Sequence, residues 1–349
     1  MRHVGVDLHK LNFVVCFLDE AGNNSLMTFA LTQKGLEAFT KLLRPDDALA
    51  VEASQNAYFF LRQVGGRVAR VVLVNTYKFA PIAKSKKKTD KHDALTLARY
   101  LKMDALPEVS VPSDEIIQLR HLLVARDSLV EMSTRLKNMA HAALTRNGVA
   151  FTRKVFASKK SREKLLEIEG LTSADRQILL ASLRQMEQLE AEAAGLESQI
   201  VQRGRRLKGV ERLLQITGLN LLTAITLLAE IGEIGWFDTS KQLVSYAGLA
   251  TSVRQSGSRD RRGKITKQGR KRLRTVVTRA VLSMVNRSSN PLMDFYQKKK
   301  REKGSGKAIV AAARKLLVII WVMLKKGRDY WYIKERLYEG KLRALEAAA

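Results

Sequence analysis

The feature that most constrains the fold is a run of three strand-like segments at the start of the chain, with no helical pattern between them. Residues 3–8 and 12–18 are rich in β-branched and aromatic side chains, and residues 26–30 continue this pattern after a turn-forming stretch. Apolar residues at helical spacing then alternate with two compact apolar segments, residues 48–53 and 68–74. We therefore predict a mixed sheet built from consecutive strands followed by helix–strand alternation.

That order of strands and helices is the order of ribonuclease H-like domains, so we expect an α/β, ribonuclease H-like fold for the first domain, residues 1–105. In such a sheet the first and fourth strands are neighbours. Pro107 and Pro112 then interrupt the chain, and Ser113 follows as a candidate helix N-cap before an acidic first turn.

Two apolar stripes with alternating spacings of three and four residues come next. The first stripe is Leu122, Ala125, Leu129, Met132, Leu136, Met139 and Ala143, and the second is Leu179, Ser182, Met186, Leu189, Ala193, Leu196 and Ile200. These stripes predict two long α-helices packed as a coiled coil over residues 106–205, either within one chain or between chains. Residues 206–349 are predicted to be mostly helical, with apolar helices at 273–286 and 309–324.

The charge of the chain points to its partner. Lysine and arginine outnumber aspartate and glutamate by 62 to 34 in 349 residues, a formal net charge of +28. Such an excess opposes compact folding unless a polyanion neutralises it, which favours nucleic acid first and an anionic membrane surface second. The longest apolar run, residues 316–324, is too short for a membrane span. With Cys16 as the single cysteine and no signal-peptide pattern, we expect a cytoplasmic protein that associates with the nucleoid when it acts.

Four acidic residues stand where a metal site would be built. Asp7 lies within the first strand and Glu52 ends the fourth, and an acid in an apolar strand is costly unless it is paired, protonated or bound to a metal. Asp90 and Asp93 are three residues apart, which places both on one face of a helix. Oxygen donors suit Mg²⁺ or Mn²⁺. Each acid alone is better explained by a surface pairing with lysine, but four acids at matching places favour the metal site.

Two further features flank these acids. Lys86, Lys87 and Lys88 run directly into the third acid, and beside a metal site phosphate contact is preferred over a merely solvated loop. His9 and His92 also lie near the acids, but they need no role beyond packing or solvent contact.

A basic segment, residues 254–274, contains ten lysines and arginines among 21 residues and a single acid. Within it, Ser256 is a candidate nucleophile toward phosphorus, because the surrounding arginines would stabilise the charge that develops on the phosphoryl group. Ser252 and Ser258 are equally available, and Ser-Gly in a flexible loop means nothing by itself, so spacing does not choose among them. The candidate nucleic-acid contacts of this segment are Arg254, Arg259, Arg261, Arg262, Lys264, Lys267, Arg270 and Arg272.

Residues 213–220 have the pattern of a helix-hairpin-helix turn, which offers backbone N–H groups to a DNA phosphate. Asn220 stands in place of the second turn glycine, and we expect it to tolerate the left-handed backbone less freely than glycine does. A plain helical hairpin in the core is an equal alternative.

Several of these motifs together resemble a known family. The motifs are residues 5–7 (GVD), 51–53 (VEA), 88–94 (KTDKHDA), 247–249 (AGL), 255–257 (QSG) and 263–269 (GKITKQG). They are similar to the motifs of the DEDD transposases, a family that includes Piv-like DNA invertases and bridge-RNA-guided insertion-sequence recombinases. The match spans nearly the whole chain, and the KTDxxDA element is its most specific part.

The resemblance implies a RuvC-like domain, a coiled coil and a transposase domain with the serine nucleophile, in that order. It implies that Asp7, Glu52, Asp90 and Asp93 are catalytic and bind Mg²⁺, and that Ser256 forms a covalent phosphoserine link to a DNA end. For the RNA-guided branch it further implies a structured noncoding guide RNA that pairs with target and donor DNA. It also implies a homo-oligomer, a dimer or a tetramer, with sites shared between subunits.

Two other functions stay open on the residues alone. A RuvC-like junction nuclease would cut DNA by hydrolysis with a metal-activated water, but it would not need the basic serine segment. A non-catalytic nucleic-acid-binding scaffold would use only the charge, but it would not need four acids in a protein of net charge +28.

Overall fold

The computed structural model divides the chain into two compact units, Met1–Val111 and Pro112–Ala349. The described residues are 1–75, 79, 89–165, 167–256, 259–287 and 290–347, without the side chains of 153, 159, 253–262 and 287. In this part of the chain, no helix is both long enough and apolar enough to cross a membrane.

The first unit is built on a six-stranded mixed sheet. Its strands are β1 (His3–Leu8), β2 (Asn12–Leu18), β3 (Asn24–Ala30), β4 (Ala48–Glu52), β5 (Arg70–Val74) and β6 (Glu108–Val109), in the order β3-β2-β1-β4-β5-β6. Strand β1 pairs antiparallel with β2 and parallel with β4. The prediction that the first and fourth strands are neighbours is therefore confirmed. Strand β6 has only two residues, too few to show a pattern in the sequence.

Helices cover both faces of this sheet. Helices α1 (Gln33–Thr40) and α2 (Ala57–Val64) pack on one face through an aromatic cluster, in which the Phe13 ring lies 5.3 Å from that of Phe39 and 5.2 Å from that of Phe60. Helix α3 (Asp90–Lys102) packs on the other face through Leu97 and Leu101. Because both faces are covered, every residue of β1 is buried, including the polar residues His3 and Asp7.

Gly5 allows helix α3 to lie directly on β1. A Cβ atom at this position would stand 2.1 Å from the carbonyl oxygen of Ala94 and 2.5 Å from the backbone nitrogen of Ala98. Any other residue would therefore push the helix away from the strand. The first residue of the GVD motif thus sets the distance between β1, which carries Asp7, and α3, which carries Asp90 and Asp93.

The second unit is mostly helical. Its helices are α4 (Asp114–Arg146), α5 (Lys159–Glu163), α6 (Ser173–Gly204), α7 (Val210–Leu214), α8 (Leu221–Ile231), α9 (Ser240–Tyr246), α10 (Lys271–Arg287), α11 (Pro291–Lys303), α12 (Ser305–Lys326) and α13 (Glu335–Ala347). Strands β7 (Thr251–Ser256) and β8 (Arg259–Ile265) form a two-stranded sheet between α9 and α10. Helices α8, α10 and α12 share one large apolar core.

Helices α4 and α6 pack against each other in antiparallel fashion. Near one end Arg126 Nη2 lies 3.0 Å from Glu197 Oε2, and further along Ser133 Oγ lies 3.4 Å from Glu190 Oε1. The predicted α6 stripe is buried or half-buried throughout. The α4 stripe does not pack as predicted within this chain, because Met132 and Met139 are 49 % and 51 % exposed.

The residues that α4 buries instead are Ser133 and Ala140, each one position further along the helix. Ala140 packs in an apolar cluster with Leu179, Leu183 and Met186 of α6, where its small side chain leaves room for theirs. Ser133 contacts Glu190 instead, so burial along α4 does not follow the hydrophobic pattern alone.

The burial difference between two methionines provides a test of this packing. Met186, on α6, is fully buried, so Met186→Ala is expected to lower the free energy of unfolding by about 2–3 kcal/mol through lost contacts and a residual cavity. The matched variant Met132→Ala should cost less than about 1 kcal/mol. Urea denaturation followed by circular dichroism measures both. Equal losses at the two positions would contradict the packing described here.

Candidate active site

The carboxyl-end edge of the first sheet brings acidic side chains from separate segments together. Val6 on β1 is paired with Val51 on β4, so Asp7 and Glu52, the next residue of each parallel strand, lie side by side. The first turn of α3 carries Asp90 and Asp93, and it is capped by the Thr89 side chain, which accepts a hydrogen bond from His92 N–H.

The electrostatics of Asp7 show that these acids interact. Asp7 is buried, and burial is the main cause that raises its pKa to about 6. His9 lowers this pKa, whereas the charges of Glu52, Asp90 and Asp93 each raise it further. The other three acids are therefore close enough to Asp7 to influence it electrostatically, and like charges repel unless a cation or a proton compensates them.

His9 lies between two of the acids. Its Nε2 atom is 3.2 Å from Asp7 Oδ2 and 3.1 Å from Asp90 Oδ2. The sequence analysis gave His9 no role beyond packing or solvent contact, and the structure instead places it within the acid cluster. Its position two residues after Asp7, just beyond the end of β1, was the only signal in the sequence.

The donor atoms fit a divalent cation. Asp7, His9 and Asp90 each offer one ligand atom, and these atoms all lie within 4.8 Å of one another. Among the described residues, Asp93 Oδ1 is buried and has no hydrogen bond, although His92 Nδ1 lies 3.7 Å away. A buried carboxylate oxygen without a hydrogen bond is costly, and a metal ion would satisfy it. Lys86, Lys87 and Lys88, predicted to contact phosphate, lie outside the described residues.

The basic serine segment forms a β-hairpin rather than the flexible loop expected from its sequence. Strands β7 and β8 pair antiparallel, and Ser256 ends β7 opposite Arg259, the first residue of β8. The predicted contact residues Arg254, Arg261 and Arg262 lie on these strands, and Gly257 and Ser258 fall outside the described residues. The hairpin therefore places Ser256 next to its turn.

One of the three candidate serines has its hydroxyl engaged within the hairpin. Ser252 Oγ donates a hydrogen bond to the Lys264 carbonyl oxygen at 3.2 Å. A Cβ atom on Gly263 would lie 2.3 Å from this hydroxyl, so the glycine keeps space for it. This contact disfavours Ser252 as the nucleophile, an alternative that spacing had left open.

The base of the hairpin is held by backbone hydrogen bonds. Thr266 N–H donates to the Ala250 carbonyl oxygen at 2.9 Å, and Arg270 N–H donates to that of Tyr246 at 2.8 Å. Gly269 has φ +120°, and a Cβ atom there would lie 2.2 Å from the same Tyr246 oxygen. The chain can therefore return to α9 at this point only with glycine. Lys264 and Lys267, two further predicted contacts, are exposed beside it.

Two of the predicted DNA contacts take part in an internal ion-pair network. Arg270 Nη2 lies 2.8 Å from Oε2 of Glu230, which is 2 % exposed. Arg272 Nε lies 3.0 Å from Asp127 Oδ2, and Arg272 Nη1 lies 3.8 Å from Glu230 Oε1. The network joins the end of the hairpin to α8 and α4. That Arg270 and Arg272 also contact DNA stays a prediction.

The turn between α7 and α8 differs from the sequence expectation in one respect. Asn220 has φ −94° and ψ 173°, an extended rather than a left-handed conformation. Its side chain caps α8 by accepting a hydrogen bond from Thr223 N–H at 2.8 Å. Gly218, with φ +94°, is the left-handed residue of the turn. The expectation that Asn220 replaces a left-handed glycine is therefore wrong, because helix capping determines its backbone conformation.

Two family models match the chain, one after the other. Residues 4–148 match the model of the IS110-type DEDD transposases, and this matched segment contains all four acids. Residues 210–297 match the model described as Transposase IS116/IS110/IS902 family, which contains the serine hairpin and the Glu230 network.

Similar proteins span almost the whole chain. The transposase of insertion sequence element IS1111A from Coxiella burnetii is 25 % identical over 95 % of this chain and 91 % of its own length. The pilin gene-inverting protein of Moraxella bovis is 26 % identical over 94 % of this chain and 97 % of its own. The transposase of element IS1328 from Yersinia enterocolitica is 23 % identical over 93 % and 97 %. With two models of one family matched in order along the chain, and with relatives that span almost all of it, this chain belongs to the IS110/IS116 family of insertion-sequence transposases, enzymes of DNA recombination.

Proposed function

We propose that this transposase cuts and rejoins DNA through a covalent phosphoserine intermediate formed by Ser256, with a divalent cation held by Asp7, Glu52, Asp90 and Asp93. The observation that carries the proposal is the grouping of donor atoms: ligand atoms of Asp7, His9 and Asp90 lie within 4.8 Å of one another, and Glu52 follows the parallel strand beside Asp7. Asp93, on the same helix turn as Asp90, has a buried carboxylate oxygen without a hydrogen bond. Acids gathered at one edge of a sheet repel one another unless a positive charge or a proton compensates them.

The cation, Mg²⁺ or Mn²⁺, would supply Lewis-acid stabilisation of the phosphate oxygens during strand transfer. The chain's own residues hold it: Asp7 and Glu52 from adjacent strands, and Asp90 and Asp93 from the helix that Gly5 allows to approach. His9 offers a nitrogen donor within the same cluster. Asp7 must lose its proton to act as a ligand.

The serine step conserves the phosphodiester bond energy. Ser256 Oγ loses its proton and attacks the phosphorus of the cleaved strand, and the DNA oxygen departs and takes up a proton. In rejoining, a DNA hydroxyl attacks the phosphoserine and releases Ser256. The arginines and lysines of β7 and β8 would stabilise the negative charge that develops on the phosphoryl oxygens.

We also propose the finer assignments that the resemblance implies. These are a ribonuclease H-like, RuvC-like first domain (residues 1–105), a coiled coil (106–205) and a transposase domain (206–349). The β3-β2-β1-β4-β5 strand order supports the ribonuclease H-like assignment of the first domain. The antiparallel packing of α4 and α6 supports the coiled coil. A structured noncoding bridge RNA as guide, and a homo-oligomer, dimer or tetramer, as the active form, rest on the family resemblance and on the net charge of +28.

The test of the serine step is a covalent adduct. The protein, its candidate RNA and end-labelled target DNA are incubated with Mg²⁺ and denatured, and label that migrates with protein is measured. The wild type and Ser252→Ala are expected to form the adduct. Ser256→Ala should lose it entirely, because no oxygen nucleophile remains at that position.

The alternatives predict different products. Loss of the adduct in Ser258→Ala alone would move the nucleophile by two residues and contradict the assignment of Ser256. Efficient cutting by Ser256→Ala, without an adduct in any variant, would overturn the recombinase mechanism in favour of metal-dependent hydrolysis.

A further inference from the structure

The second unit contains a cleft of about 780 Å³ between α4, α8 and α10. The α10 wall carries Lys271, Thr275 and Arg279, which succeed one another at intervals of four residues and so lie on one face of the helix. The opposite rim carries Gly218 and Asn220, at the N-terminal end of α8. Lys271, Thr275 and Arg279 were not candidate site residues in the sequence analysis, whereas Gly218 and Asn220 belong to the predicted helix-hairpin-helix turn.

The other arginines of this cleft are already engaged. Arg120 is buried, and it donates hydrogen bonds to the carbonyl oxygens of Ala229 at 2.7 Å and Glu230 at 3.1 Å. Arg270 and Arg272 pair with Glu230 and Asp127 as described above. These three arginines therefore stabilise the cleft through contacts within the protein, and their charges are already largely compensated.

Lys271 and Arg279 differ from them. Both are exposed, and in the described part of the chain neither forms an ion pair. Eight residues of α-helix separate their Cα atoms by roughly 12 Å. Two long cationic side chains at that separation, on one wall of an open cleft, match an extended polyanion better than a single small anion. The N-terminus of α8 on the opposite rim adds a favourable field for negative charge.

We propose that this cleft binds the phosphodiester backbone of DNA, with Lys271 and Arg279 each contacting a phosphate of the same strand. The proposal rests on the family's action on DNA but not on Ser256 or on the metal site, so it can fail independently of them. Glu131 also lines the cleft and is exposed. Its negative charge would weaken DNA binding. Removing this charge and removing the positive charges of Lys271 and Arg279 should therefore change the affinity for DNA in opposite directions.

The experiment measures the salt dependence of DNA binding by the full-length protein. The probe is a labelled DNA duplex of about 30 base pairs and arbitrary sequence. Its binding is measured without divalent cations, at monovalent salt concentrations between about 50 and 200 mM. The double variant Lys271→Gln/Arg279→Gln is expected to lower the slope of log K against log salt by about two, since each lost phosphate contact removes about one. Glu131→Gln should tighten binding without loss of thermal stability.

The matched control is Lys208→Gln/Lys241→Gln, which removes two exposed lysines of the same unit that do not line the cleft. Equal changes in both double variants would overturn the proposal, because only net charge would then matter. Unchanged slope in the cleft variant would overturn it as well, provided its melting temperature equals that of the wild type. If the cleft variant loses affinity for a single-stranded RNA of equal length but not for the DNA duplex, the cleft is an RNA site and the proposal is wrong. If the melting temperature of the cleft variant is lower than that of the wild type, Glu131→Gln is the test. The proposal is then overturned if Glu131→Gln does not bind DNA more tightly.

Discussion

Asp7→Asn is expected to abolish DNA strand cleavage by this transposase and, at pH 7, to increase its free energy of unfolding. Cleavage should fall by about 10³-fold or more, because losing one ligand of a catalytic cation removes several kcal/mol of transition-state stabilisation. DNA binding should be retained, since the basic surface is unchanged.

The gain in stability follows from the pKa of Asp7, which burial and its acidic neighbours raise from 3.8 to about 6. Between these two pH values the folded protein retains a proton that the unfolded chain has released, so the stability contribution of Asp7 is lost as pH rises from about 4 to about 6. At pH 7 the full cost is present, on the order of 2–3 kcal/mol. Asparagine carries no charge and avoids this cost.

Thermal denaturation without divalent cations, at pH 4 and pH 7, measures the effect. The difference between wild type and Asp7→Asn should be small at pH 4 and favour the variant at pH 7. Asp46→Asn, which changes an exposed acid of the same unit, is the control and should show no such pH dependence. Wild-type cleavage by Asp7→Asn would rule out Asp7 as a metal ligand, and a variant less stable than wild type at pH 7 would contradict the electrostatic account.

Glu230→Ala should have the largest effect on the second unit, a loss of about 3 kcal/mol in the free energy of unfolding. Glu230 is almost fully buried and contacts both Arg270 and Arg272. Its removal leaves two arginines near each other without their shared counter-charge, in a protein whose net charge is already +28. Glu230→Gln keeps the volume and one hydrogen-bond acceptor and should lose less.

The same variants report on the serine hairpin, because Arg270 also holds the hairpin base through Tyr246. At a temperature where Glu230→Gln remains folded, its rate of adduct formation should be lower than that of the wild type, while its affinity for DNA changes little. Asp127→Asn removes a partly exposed partner of Arg272 and should cost less than about 1 kcal/mol. Equal stability losses in Glu230→Ala and Asp127→Asn, measured by urea denaturation, would show that burial of Glu230 is not decisive.

The sheet and the acid cluster were predictable because their sequence signals are local and strong. Short segments with β-branched and apolar residues predicted β1 and β4, and the parallel pairing of neighbouring strands then placed Asp7 beside Glu52. The β7–β8 hairpin was missed because its strands consist largely of arginine, serine and glutamine, with no apolar alternation. Backbone hydrogen bonds at its base and the Glu230 network stabilise it, and neither has a sequence pattern.

The role of His9 and the burial of α4 were missed for a different reason. Both depend on which side chain reaches a neighbour in three dimensions, through geometry beyond a strand end for His9 and through side-chain volume for Ala140. Periodicity indicates the buried face of a helix only to within a residue or so, and in α4 the apolar methionines lie at the edge of the contact.

The close approach of α3 to β1 at Gly5 determines when the acid cluster can be complete. The acids of β1 and β4 come together early in the sequence, but Asp90 and Asp93 join them only when α3, the last helix of the unit, has docked on the strand. If these acids hold the proposed cation, its binding is linked to completed folding, and an ion present at a hundred times its dissociation constant would stabilise the docked state by about 2.7 kcal/mol. Nascent or damaged copies in which α3 has not docked would hold an incomplete ligand set. In the proposed mechanism, the ability to cut DNA would therefore depend on the finished fold of this unit.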